Sequence, residues 1–108
     1  MTRPAPRTLP PGQLAPVHPG EILREEFLLP LDLSAGKLAR KLGVPRTRIE
    51  RLVAEKVVLT PDTALRLARF FGMSPQFWMG LQSDYALEAA LDRLAQDLDR
   101  IQPMENAS

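Results

Sequence analysis

Apolar residues recur through the middle of the chain at helical spacing, with polar residues filling the faces between them. Ile22, Leu23, Phe27 and Leu28 form a first apolar face. Pro19 suits the first turn of that helix, Glu21, Glu25 and Glu26 favour its N-terminal half, and Pro30 is expected to stop it. Leu38, Ala39 and Leu42 mark a second helix, opened by Ser34 as its N-cap and ended by Gly43 in a left-handed conformation. After Val44 and Pro45, a third helix turns Ile49, Leu52 and Val53 inward and Arg46, Thr47, Glu50 and Arg51 outward. Glu55 to Leu59 reads as a loop with room for a short extended stretch. Thr60-Pro61-Asp62-Thr63 is a helix start, and Ala64, Leu65, Leu67, Ala68 and Phe71 are expected to bury that fourth helix before Gly72 ends it. Ser74-Pro75 repeats the start signal for a last helix running toward Ile101, with a kink allowed between Gly80 and Asp84 and Pro103 as its stop. No strand-like alternation competes, so the pattern predicts an all-α domain of five helices.

Leu87, Leu91, Leu94, Leu98 and Ile101 repeat at alternating intervals of four and three. That is the spacing of a coiled-coil seam, and the preceding helices offer little surface to cover it. A homodimer interface is the expectation, with packing on the chain's own domain as the alternative.

The expected organisation is therefore an arm over residues 1–17, a helix-turn-helix domain over 18–81, and a dimerisation helix with a short tail over 82–108. Pro4, Pro6, Pro10, Pro11, Pro16 and Gly12 give the arm no periodicity, so it is expected to be extended and mobile. At 108 residues the chain is a single domain at most, and 44% hydrophobic with 25% charged residues exclude a disordered chain. The absence of cysteine excludes disulfides and thiol chemistry. No secretory signal and no membrane-spanning run is visible, so the expected location is the cytoplasm, with no membrane partner.

Charge matters by its distribution. From Ser34 to Lys56, Lys37, Arg40, Lys41, Arg46, Arg48, Arg51 and Lys56 face only Glu50 and Glu55. From Gln82 onward, Asp84, Glu88, Asp92, Asp97, Asp99 and Glu105 outnumber Arg93 and Arg100. A basic middle suggests a polyanion on one surface, against the alternative of solvated helix faces. His18 is the single histidine, too few ligands for a metal site, and it reads instead as a residue entering the first helix. No cofactor is expected. Without a phosphate-binding glycine loop, a nucleophile with a histidine partner, or paired carboxylates, there is no enzyme to propose. Phe70, Phe71, Phe77, Trp78 and Tyr85 have the spacing of core residues rather than of a base-stacking platform, although Phe77 and Trp78 cannot both face one core.

Residues 35–54 carry the logic of a helix-turn-helix. Ala39 is the small residue where two helices cross closely, Gly43 supplies the positive φ of the sharp turn, and Ile49 and Leu52 dock the second helix by its inner face. The outer face of that helix would lie in a DNA major groove.

The runs Pro19-Gly20-Glu21-Ile22-Leu23, Gly43-Val44-Pro45-Arg46-Thr47-Arg48-Ile49, Thr63-Ala64-Leu65-Arg66-Leu67-Ala68-Arg69-Phe70-Phe71-Gly72 and Ser74-Pro75-Gln76-Phe77-Trp78 resemble the HigA-type antitoxins. These lie within the lambda-repressor-like helix-turn-helix class, and the match covers residues 18 to about 87. The resemblance implies a type II antitoxin that represses its own operon as a homodimer on double-stranded operator DNA and neutralises a HigB-type ribonuclease toxin. It assigns base reading to Pro45, Arg46, Thr47 and Arg51, and phosphate contacts to Ser34, Lys41, Arg48 and Lys56. The family commonly has Gly-Lys-Arg after the recognition helix where this chain has Glu55-Lys56-Val57, so a different turn and weaker phosphate contact are expected there. That departure favours one alternative, a protein-interaction module that has lost DNA reading. A solitary repressor without a toxin is the other.

Overall fold

The computed structural model describes residues 16–105. Most of the expected arm lies outside them, and its last two residues, Pro16 and Val17, are half-buried. Pro19–Ile22, Leu23–Leu28 and Leu29–Leu31 follow one another without a break and form one helix, α1, whose middle stretch is π-helical. Then come α2 (Ala35–Leu42), α3 (Arg46–Val53), α4 (Pro61–Phe71) and α5 (Pro75–Asp99). The all-α, five-helix expectation holds.

Side chains start the helices where the sequence places them. The backbone N–H of Lys37 donates to Ser34 at 3.1 Å, that of Thr63 to Thr60 at 3.4 Å, and that of Phe77 to Ser74 at 3.3 Å. Each such cap contributes about 1 kcal/mol. His18 caps α1: its Nδ1 accepts from the Gly20 N–H at 2.9 Å. Its Nε2 lies 2.9 Å from the Val57 carbonyl and can donate to it, so both ring nitrogens are engaged.

Four helices end in a left-handed residue, and only two of those are glycine. At Gly43 (φ 73°) the N–H groups of Gly43 and Val44 return to the carbonyls of Arg40 and Ala39. Gly72 (φ 69°) ends α4. Asp32 (φ 51°) closes α1 in the same way as Gly43, with Leu33 N–H reaching the Leu28 carbonyl at 2.9 Å. Glu55 (φ 62°) closes α3, with Lys56 N–H reaching the Arg51 carbonyl at 3.0 Å. The turn after α3 is thus made by Glu55 in the conformation a glycine would supply, at a cost of about 1–2 kcal/mol for a residue bearing a Cβ.

Pro30 does not stop α1. Inside an α-helix a proline ring meets the carbonyl four residues back. The widened π stretch carries the bonding five residues back, from Leu29 N–H to the Arg24 carbonyl, and the helix runs through Pro30 to Leu31. Two further expectations need correction. Leu65 is exposed and Thr63 is buried in its place, because the inner face of α4 runs through Thr63, Ala64, Leu67 and Ala68. The last helix ends at Asp99, short of Ile101 and Pro103, and passes through Gly80–Asp84 as continuous α-helix.

Leu23, Leu38, Ile49, Leu67 and Trp78 are fully buried at the centre, where α2 packs on α3, α4 on α5, and the N-terminal turn of α1 on α3. Phe27 and Phe71 flank the Trp78 ring, while Phe77 on the next position points partly outward. Along α5 only Trp78 and Gln82 are buried; beyond Tyr85, only Ala89, Ala90 and Leu94 are even half-buried. Leu87, Leu91, Leu98 and Ile101 stand in solvent on this single chain. The distal half of α5 draws the molecule out to 53 Å, against 31 and 24 Å in the other directions.

Candidate nucleic-acid interface

Ala39 is 1% exposed at the crossing of α2 and α3, and Ile49 and Leu52 press the underside of α3 into the core. With that side fixed, Arg46, Thr47, Glu50 and Arg51 have to face outward, and all four do. Pro45 precedes them at φ −61°, the value its ring imposes, and leads the chain directly into the first turn of α3.

All eight residues assigned to DNA from the sequence are exposed: Ser34, Lys41, Pro45, Arg46, Thr47, Arg48, Arg51 and Lys56. Those of them that border a hollow border different ones. Pro45, Thr47, Arg48 and Arg51 line a groove closed on its far side by Val57 to Thr60. Ser34 opens instead on a hollow shared with Lys37 and Arg24, and Lys41 on another shared with Arg66 and Arg69. Arg46 lies over Gly36, whose missing side chain leaves space beside the arginine stem.

Two of the arginines are already held by carboxylates. Arg46 Nε donates to Glu50 Oε2 at 2.9 Å. Arg48 Nη1 donates to Asp62 Oδ1 at 2.8 Å, and Arg66 Nε donates to the same oxygen at 2.7 Å. Arg66 also donates through Nη1 to the Leu42 carbonyl at 2.7 Å, so one chain of hydrogen bonds joins the end of α2, the start of α4 and the side of α3. Among the described residues Arg40, Lys41, Arg51 and Lys56 enter no ion pair and are free to meet an anion.

The far end of α3 is fastened by contacts that sequence spacing does not show. Arg24 donates through Nη1 to the Val53 carbonyl and through Nη2 to Glu55 Oε2 at 3.2 Å. Glu25 first, and Glu55 after it, hold the pKa of that guanidinium above its ordinary value. The loop beyond is tied at Val57 by His18 and at Leu59, whose N–H donates to the buried Gln82 Oε1 at 2.7 Å. Gln82 gives no sign of this role in the sequence: it is one polar residue on a long helix.

Asp62 carries a pH prediction. Hydrogen bonding from Arg66, and then from Arg48, holds its carboxyl below the ordinary aspartate range. A depressed folded-state pKa means a stabilising contribution that is complete above the unfolded value of about 3.9 and is lost as the pH falls through the folded value. Melting temperatures measured from pH 6 down to pH 2 should therefore fall less steeply in Asp62→Asn than in the parent chain. The difference should be small, because all three side chains are exposed and screened. Equal slopes in the two proteins would show that the clamp contributes nothing.

A helix-turn-helix family model matches residues 23–78, which is more than half of the chain. Virulence-associated protein I of Dichelobacter nodosus is 47% identical over 85 residues, 77% of this chain and 79% of that protein. Antitoxin HigA-1 of Vibrio cholerae is 33% identical over 89 residues, 82% of this chain and 84% of its own length. The structure of Pseudomonas aeruginosa antitoxin HigA with the higBA promoter superposes with a TM-score of 0.80 at 43% identity, covering 82% of this chain and 98% of that one. The chain belongs to the helix-turn-helix family of regulators, which are not enzymes, and is closely related to the HigA antitoxins.

Proposed function

We propose that this protein is an antitoxin and transcriptional autorepressor that binds operator DNA as a homodimer and neutralises a HigB-type toxin in the cytoplasm. The observation that carries the DNA half is the outward face of α3. Arg46, Thr47 and Arg51 stand on it with Ile49 and Leu52 locked beneath, so the reading side chains are presented by a rigid support. Lys56 follows on the closing turn, and an unpaired ammonium there suits a phosphate. The similar HigA structure with its promoter supports the same use of the fold. Glu55 takes the left-handed conformation a glycine would supply, which answers the glycine half of the sequence argument for a module without DNA reading. Val57 in place of an arginine is the half that still favours that alternative. The toxin half rests on the family, and co-purification with the product of a neighbouring toxin gene separates an antitoxin from a solitary repressor.

Two substitutions test the DNA reading by their contrast. Arg46→Ala should lose about 1–3 kcal/mol on the operator and relax the preference at one base position, as expected when a bidentate arginine–guanine contact is removed. Lys56→Ala should weaken binding to every sequence alike and flatten the salt dependence by about one ion. Gel-shift titrations on the upstream promoter at several salt concentrations measure both. If neither substitution changes binding, α3 is not the reader.

A further inference from the structure

We infer that Glu50 is a base-selecting residue that works as a pair with Arg46, holding the arginine for a guanine while its own free oxygen takes a cytosine. The inference rests on the DNA reading of α3 proposed above. Glu50 is placed for it: the residue is exposed on the outward face, one turn beyond Arg46 and beside Arg51.

The pair is badly arranged for helix stability, which argues that stability is not its purpose. Arg46 is the first residue of α3, at the positive end of the helix dipole, where a cation is unfavourable. An arginine preceding a glutamate by four residues is also the weaker order for a helix ion pair. Both charges are exposed, so the contact adds little to folding.

The geometry suits base edges. Glu50 engages Arg46 through Nε alone, which leaves both terminal nitrogens of the guanidinium for the two acceptors that guanine presents in the major groove. Holding the guanidinium in this way removes rotamer freedom before any base is met. The second oxygen of Glu50 has no partner among the described residues. A carboxylate is repelled by phosphates, so on this otherwise basic face the free oxygen is tolerated only toward the groove floor. The donors there are the amino groups of cytosine and adenine, and adenine sets an acceptor beside its own, so cytosine is the match. The four residues from Arg46 to Glu50 advance about 6 Å along the helix, which places the selected guanine and cytosine within about two base steps of each other.

Selection from a random duplex library tests the assignment, using the full chain, Glu50→Ala, Glu50→Gln and Arg46→Ala. The parent chain should enrich a guanine and, within two steps, a cytosine. Glu50→Gln should keep the guanine and move the second preference toward adenine, which an amide pairs with two hydrogen bonds. Glu50→Ala should lose discrimination at that position by roughly tenfold or more, while binding to unrelated DNA holds or tightens because a negative charge is gone. If both Glu50 variants select the same site as the parent, the assignment is overturned and DNA reading survives. If the parent enriches no sequence at all, the reading of α3 falls and this assignment falls with it.

Discussion

Gly20→Ala is expected to destabilise the protein by about 3 kcal/mol or more, at the upper end of what overpacking a core does. An ideal Cβ at this position lies 1.8 Å from the Leu52 carbonyl oxygen and 2.8 Å from its carbon, both backbone atoms that cannot swing aside. The first turn of α1 rests directly on the last turn of α3, and only a residue without a side chain permits that approach. The strain should appear in DNA binding as well as in stability, since the displaced backbone belongs to the helix that carries Arg46 and Arg51. Gly80→Ala is the control. A Cβ there meets nothing within 4 Å, and the residue lies inside α5, where alanine is favoured over glycine by about 0.8–1 kcal/mol. Denaturant titration should thus move the two variants in opposite directions. A Gly20→Ala protein as stable as its parent would mean that α1 and α3 can slide apart without loss.

Joint replacement of Leu94 and Leu98 by aspartate is expected to convert the proposed dimer into a monomer that keeps its helical circular dichroism. Leu87, Leu91 and Leu98 are exposed on the distal half of α5 of the single chain, with Leu94 half-buried among them and Ile101 exposed just past the end of the helix. Each leucine buried in a seam contributes roughly 1.5–3 kcal/mol, and introduced carboxylates would also face one another across it. In the proposed dimer, two recognition helices held about 34 Å apart would bind their half-sites with the advantage of effective concentration. The monomer should accordingly lose operator affinity far more steeply than either half-site contact predicts. Sedimentation equilibrium measures the mass directly. A double variant that remains dimeric places the interface elsewhere, with the partly exposed Phe77 the next surface to try, whereas one that unfolds assigns the seam to the domain's own core.

Local chemistry made much of this architecture legible before any coordinates. Ser34, Thr60 and Ser74 announce their helices by capping, and Gly43 and Gly72 announce their ends, because each signal acts within one turn of chain. The missed features act otherwise. Asp32 and Glu55 take a left-handed conformation with side chains that carry no such signal, since the requirement comes from the hydrogen bonds around them. Pro30 is a valid stop in an α-helix and fails here because the stretch before it is wider. Leu65 fits the apolar rhythm of α4 yet sits outside the arc that its neighbours cover. At the site, the basic outward face of α3 could be read from periodicity. The holding of Arg48 by Asp62, of Val53 by Arg24 and of Leu59 by Gln82 could not, because those partners are 14, 29 and 23 residues apart.

The loop behind α3 takes its two stitches from opposite directions along the chain: His18 lies 39 residues before Val57, and Gln82 lies 23 residues after Leu59. During synthesis the ribosome releases the first stitch early and the second late. A nascent chain that has emerged only as far as Phe71 holds α2, α3 and their turn but has no Gln82 to receive the Leu59 N–H. The mounting of α3 therefore finishes only when the start of α5 is out of the tunnel. The same order puts the leucines of distal α5 later still, so in the proposed dimer assembly with a second chain would follow the completed mounting of α3.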